Sequence, residues 1–154
     1  MPSVNATPKQ FVLDTSALLT LIEDEAGADR VYEVIEGNRA VVPWVALLEM
    51  SYISQQERGQ DEAERRYAFI KTLPLTIVWE ADEAILLQAS RLKASHRISL
   101  GDSIIAAHAI RLKAVLLHKD PEFESLSEKV AQETLPYKSR AKSSNGAGAA
   151  LTGE

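Results

Sequence analysis

The chain has 154 residues, 45% hydrophobic and 25% charged, which suits one globular domain with a buried core. It contains no cysteine, which excludes a disulfide framework, a thiolate metal site and a cysteine nucleophile and fits a reducing cytoplasm. With 17 Lys and Arg against 22 Asp and Glu, the net charge of −5 argues against a surface coated in basic charge, yet it allows a local basic rim around an acidic pocket.

Read in chain order, the elements alternate. "QFVLD" (10–14) is a short apolar strand ending in a carboxylate, and "SALLTLIEDE" (16–25) and "ADRVYEVIEG" (28–37) have helical spacing with a glycine stop. "AVVPW" (40–44) is a second strand, with Pro43 suited to the first turn of the helix that follows. That helix runs to "ERG" (57–59), and "QDEAERRYAFIKTL" (60–73) makes another. "LTIVW" (75–79) is a third strand, "ADEAILLQASRLKASH" (81–96) and "LGDSIIAAHAIRLK" (100–113) are helices, "AVLLH" (114–118) is the fourth strand and "ETLPY" (133–137) a weaker fifth. Short apolar strands separated by helices predict an α/β domain with a mainly parallel sheet of four to five strands, over residues 8–137. The Gly/Ala-rich, polar stretch 138–154 reads as a disordered tail. "MPSVNATPKQ" lacks the features of a signal peptide. No apolar run reaches the roughly 18 residues a membrane span needs, so no membrane association is expected.

In an open parallel sheet, ligands bind beyond the carboxyl ends of the strands, near the point where strand order reverses. Asp14 follows the first strand, Glu49 lies about a helical turn beyond the second, and Asp120 follows the fourth; Asp102 opens the helix that leads into the fourth. Local structure offers three of them another use. Asp14 suits a turn, with Thr15 or Ser16 capping the next helix, and Ser99 with Asp102 fits a capping box. Asp120-Pro121-Glu122 fits an N-cap, a first-turn proline and a first-turn acid. Glu49 is different. Its helical neighbours are Val45, Ala46, Tyr52 and Ile53, none of which neutralises a carboxylate.

Carboxylates that converge in one cleft repel one another and raise their pKa values. A hard divalent cation removes that penalty, and a cluster without a His or Cys ligand set points to Mg²⁺ or Mn²⁺ rather than zinc. Such a site suits phosphoryl chemistry, in which one ion activates water and a second, about 4 Å away, steadies the leaving oxygen.

"FVLDTSALL", the glutamate of "VALLEMSY", "LGDSIIAAHA" and "VLLHKDPEF", in this order, resemble the PIN-domain ribonucleases, and the chain's size is similar to the VapC-type toxins of toxin–antitoxin pairs. The resemblance covers residues 10 to about 125. It implies a three-layer α/β/α sandwich and one or two Mg²⁺ or Mn²⁺ ions held by Asp14, Glu49, Asp102 and Asp120, with Ser16 as the hydroxyl that supports the first acid. It further implies metal-dependent endonucleolytic cleavage of single-stranded RNA in the cytoplasm, a cognate antitoxin that blocks the cleft, and a homodimer. His118 stands where the family often has Thr or Ser, placed to hydrogen-bond Asp120 or touch a phosphate, and Glu122 is either a further outer acid or a first-turn helix acid.

RNA affinity requires positive charge near the cleft, for which Lys93 and Arg97, with His96 beside them, and the pair Arg65 and Arg66 are the candidates beside a plain solvated-face role. His108 lies about 120° around its helix from Asp102, which favours packing or surface placement over metal ligation. Two other readings remain open at this level: a catalytically silent PIN-like module that binds RNA or protein, and a small α/β phosphohydrolase.

Overall fold

The computed structural model describes residues 8–137; the tail expected over 138–154 lies outside the described residues. Five strands, β1 (Phe11–Leu13), β2 (Ala40–Pro43), β3 (Thr76–Val78), β4 (Val115–His118) and β5 (Gln132–Thr134), form one sheet in the order β3-β2-β1-β4-β5. Every pairing is parallel. Burial follows that order: β1, β2 and β4 are wholly buried, while the edge strands β3 and β5 are partly exposed. This is why the inner strands read as unbroken apolar runs, with both faces covered by helices. The helices are α1 (Thr15–Ile22), α2 (Ala28–Glu36), α3 (Trp44–Arg58), α4 (Gln60–Lys71), α5 (Glu83–Ser95) and α6 (Leu100–Leu112), and they flank the sheet in the α/β/α arrangement expected. Among the described residues no helix is long and apolar enough to cross a membrane.

Three boundaries differ from the sequence reading. Pro43 ends β2 in extended backbone instead of entering the first turn of α3, which starts at Trp44. Helix α1 stops at Ile22 because Asp24 turns into the left-handed region with φ 52°. The fifth strand lies at Gln132–Thr134; Leu135 still donates its N–H to His118 O at 2.7 Å, and Pro136, which has no N–H, ends the ladder. Gly59, with φ 90°, breaks α3 from α4 in a conformation that a side chain would strain.

The apolar residues of α1 belong to the core: Ala17 and Leu18 are fully buried. Arg66, one of the candidate phosphate-binding cations, is structural instead. Its side chain is only 8% exposed; Nη1 lies 3.2 Å from Glu23 Oε1 and donates to Ser54 Oγ at 3.1 Å. Burial had no local sequence signal here, because Glu23 and Ser54 come from α1's C-terminal cap and α3. Arg65 points outward and pairs with Glu62 at 2.9 Å. Arg66→Ala, which leaves Ser54 and Glu23 without their partner, should cost about 2 kcal/mol of stability, and Arg65→Ala less than about 0.5 kcal/mol, as read by urea unfolding.

Candidate active site

Strands β2 and β4 lie on opposite sides of β1, so the strand order reverses between β1 and β4. The carboxyl ends of these two strands carry Asp14 and the Lys119-Asp120 loop, and the Asp14 N–H prolongs the pairing by donating to Leu117 O at 3.1 Å. A cleft of about 280 Å³ opens there, lined by Asp14, Thr15, Ser16, Glu49, Asp102, Asp120, Glu122 and three further residues, Leu19, Ile53 and Ser99. All four acids singled out from the sequence thus meet in one cleft, with Glu122 as a fifth, and among the described residues no Lys or Arg lines it.

The capping roles and the convergence coexist. Asp14 itself is the N-cap of α1, not Thr15 or Ser16 as the sequence suggested: its Oδ2 accepts the Ser16 N–H at 3.0 Å and the Ser16 hydroxyl at 2.6 Å. Extended backbone at Asp14 puts the side chain in reach of the first helical N–H groups, and this uses only one of its oxygens. The other, Oδ1, is buried with no partner among the described residues. Ser16 Oγ in turn accepts the Lys119 N–H at 2.8 Å, so one hydroxyl ties the ends of β1 and β4 together. Ser99 caps α6 by accepting the Asp102 N–H at 3.1 Å, which leaves the Asp102 side chain facing the cleft. Asp120 Oδ1 caps the 3₁₀ turn Pro121–Leu126 by accepting the Glu122 N–H at 2.9 Å. One carboxylate oxygen each from Asp102, Asp120 and Glu122 lie within 4.8 Å of one another.

Glu49, on the second turn of α3, has two partners that its own helix does not show. Thr15 donates its hydroxyl to Glu49 Oε1 at 2.6 Å. On the other side the carboxylate rests against Gly101 of α6, so close that a Cβ on that residue would stand 2.5 Å from Oε2. Neither residue was legible as part of the site: Thr15 read as a helix cap, and Gly101 gave no chemical signal.

The crowding shows in the acid equilibria of the cleft. Burial pushes the Asp14 carboxyl up to about 6, with Asp120 adding repulsion and the Ser16 bonds opposing. Burial, then the charge of Asp14, then Glu122 and Asp120 push Asp102 up to about 9. His118 is fully buried; its Nδ1 accepts the Asp120 backbone N–H at 3.1 Å, so it meets Asp120 as the sequence suggested and is shut away from any phosphate. Burial also holds its pKa below the ordinary histidine value.

Lys93 and Arg97 are exposed and do not line the acidic cleft. Lys93 sits instead on an apolar groove of about 590 Å³ with Trp44, Leu86, Leu100 and Ile104. His96 is half-buried, its Nδ1 3.2 Å from Leu92 O. His108 is buried beside Asp82 and Arg111, away from the cleft, in keeping with packing.

The acids gather at the sheet's switch point, and comparison with known proteins identifies the family. Residues 11–129 match the PIN domain family. The chain belongs to that family. A comparison with curated proteins found no match. Among solved structures, VapBC2 from Rickettsia felis, bound to a promoter DNA fragment, superposes with a TM-score of 0.67 at 15% identity, covering 82% of this chain and 98% of the other. VapBC from Salmonella typhimurium, also DNA-bound, gives 0.67 at 16% identity over 82% and 98%. VapC20 from Mycobacterium tuberculosis, a toxin that cleaves the sarcin-ricin loop, gives 0.64 at 13% identity over 82% and 100%. At these identities the likeness is one of fold.

Proposed function

We propose that this protein is a divalent-metal-dependent endoribonuclease that cleaves single-stranded RNA, and that it acts in the cytoplasm as the VapC-type toxin of a toxin–antitoxin pair. The observation that carries the reading is the cleft itself: among the described residues, five carboxylates without a cation in the lining, and one buried Asp14 oxygen with no partner. Oxygen ligands alone, partly open to water, fit Mg²⁺ or Mn²⁺. Asp14, Glu49, Asp102 and Asp120 would hold it, with Glu122 at the rim. When bound, the ion supplies positive charge for the scissile phosphate and lowers the pKa of water for in-line attack. The chain's own part is to keep these acids in place: Ser16 and Lys119 fix Asp14 against the β4 loop, Ser99 fixes the start of α6, and Thr15 holds Glu49.

The solved VapBC relatives support a cognate antitoxin as partner. The exposed Leu86 and Leu100 on the α5–α6 groove support a homodimer, which light scattering would show as twice the chain mass. The deciding experiment is RNA cleavage by the purified protein with Mg²⁺, Mn²⁺ or EDTA, beside Asp14→Asn and Asp102→Asn. Cleavage should need the metal and vanish in both variants. Cleavage in EDTA, or full activity in either variant, overturns the mechanism; a folded wild type that binds Mn²⁺ yet cuts no RNA leaves a silent binding module, and hydrolysis of simple phosphate esters but not RNA points to a phosphohydrolase.

A further inference from the structure

We infer that His118 is a positioning residue for Asp120, held in a single tautomer by Gln132 of β5, and that this pair sets the Asp120 side of the acidic cleft. The inference rests on the reading of Asp120 as a metal ligand. It starts from the polarity of three hydrogen bonds. Gln132 Nε2 lies 2.7 Å from the Phe123 carbonyl oxygen, which only accepts, so the amide must turn its NH₂ there. Its Oε1 is then directed at His118 Nε2, 2.8 Å away, and because Oε1 only accepts, Nε2 carries the proton. The neutral ring is left with a lone pair on Nδ1, which faces the Asp120 N–H at 3.1 Å. Each bond dictates the next, from the Phe123 carbonyl to the Asp120 amide.

Packing confines the ring as well. His118 and Phe123 are both fully buried, their ring centroids 5.0 Å apart. The 120–123 segment is therefore held at both ends by one β5 side chain, through His118 at Asp120 and directly at Phe123. The consequence reaches the cleft: with its peptide fixed, Asp120 turns Oδ1 onto the Glu122 N–H at 2.9 Å, and both acids then lie within 4.8 Å of Asp102. The histidine thus acquires a definite task, orienting a backbone amide from beneath the site.

The experiment measures Mn²⁺ affinity by calorimetry on full-length wild type, His118→Leu, His118→Asn, Gln132→Leu and the His118→Leu/Gln132→Leu double variant, with urea midpoints alongside. Asparagine sets an amide oxygen where Nδ1 stands and so keeps the acceptor for Asp120 while losing Nε2. His118→Leu and Gln132→Leu should each weaken Mn²⁺ binding roughly tenfold or more, the double variant no further than the worse single, and His118→Asn should recover most of the loss. A merely structural histidine would lower every urea midpoint and leave the affinity of the folded protein unmoved. Wild-type affinity in His118→Leu, or His118→Asn as weak as His118→Leu, overturns the inference. Imidazole ¹⁵N shifts of wild type give a metal-independent reading: a proton on Nδ1 overturns the lock. A wild type that shows the Nε2–H tautomer but binds no Mn²⁺ overturns the reading of the cleft, and the positioning role with it.

Discussion

In EDTA, the unfolding midpoint of this protein should fall as pH rises from 7 to 9, and Asp102→Asn should remove much of that fall. The direction follows from the cleft. Asp14 is raised from 3.8 to about 6 and Asp102 from 3.8 to about 9, in both cases chiefly by burial. Between the unfolded and folded values the unfolded chain has released a proton that the folded protein still holds, so stability declines with pH across that window. The contribution is whole below about 3.8, fades for Asp14 by about pH 6 and continues to fade for Asp102 up to about 9. The Asp14 shift alone is worth roughly 3 kcal/mol at full ionisation. Two kinds of group change stability in the opposite sense, but below about pH 7: carboxylates held low by arginine partners, such as Glu133 beside Arg30, and the buried His108 and His118, which burial holds below the ordinary histidine value of 6.5; this is why the window starts at 7. Millimolar Mn²⁺ should flatten or invert the slope, because a native-state ligand that needs ionised acids binds better as they deprotonate. Differential scanning fluorimetry at five pH values, with EDTA and with Mn²⁺, reads both effects. A midpoint that climbs from pH 7 to 9 in EDTA would contradict the crowded cleft.

Gly101→Ala should leave the fold intact while cutting Mn²⁺ affinity and RNA cleavage about 10- to 100-fold. Alanine is the better helix former by up to about 1 kcal/mol, and Gly101 lies in the first turn of α6 with no positive φ to preserve. The new Cβ, however, would stand 2.5 Å from Glu49 Oε2 and 2.9 Å from its Cδ. The cheapest relief is for the Glu49 side chain to swing away, which breaks the 2.6 Å bond from Thr15 and removes a carboxylate from the cleft. Positioning losses of this kind weigh heavily on catalysis while leaving packing nearly unaffected. Glu49→Gln should show a comparable loss, and the double variant little more than either single, since both act on one carboxylate. Full activity in Gly101→Ala, with the fold retained, would mean that Glu49 takes no part in the site.

Glu49 illustrates how far local reading extends. Its lack of a helical partner was visible in Val45, Ala46, Tyr52 and Ile53, and that oddity directed attention to it. Its actual neighbours, Thr15 and Gly101, are 34 and 52 positions away, and no local period encodes them. The cations were harder. Lys93 and Arg97 looked well placed because they precede "SLGD", yet α5 carries Lys93 onto a different groove, and Arg66, outwardly the twin of Arg65, is buried among Glu23, Glu62 and Ser54. Surface charges have weak positional signals, since both solvated and buried arginines sit on amphipathic helices.

By itself the sequence determined the kinds and order of the elements, the parallel sheet and the acids at the strand ends, because apolar runs, helical period and strand-end carboxylates are local properties of the chain. Only the tertiary structure decided that β4 lies beside β1, which is what brings Asp120 to Asp14 and closes the cleft with Glu49 and Asp102. It also decided which atoms hold those acids: the Ser16 bridge to Lys119, the Thr15 hydroxyl, the space left by Gly101 and the His118–Gln132 pair. The physical reason is the same throughout. Hydrogen-bond polarity and van der Waals clearance act over about 3 Å, between residues that strand order, not sequence proximity, makes neighbours.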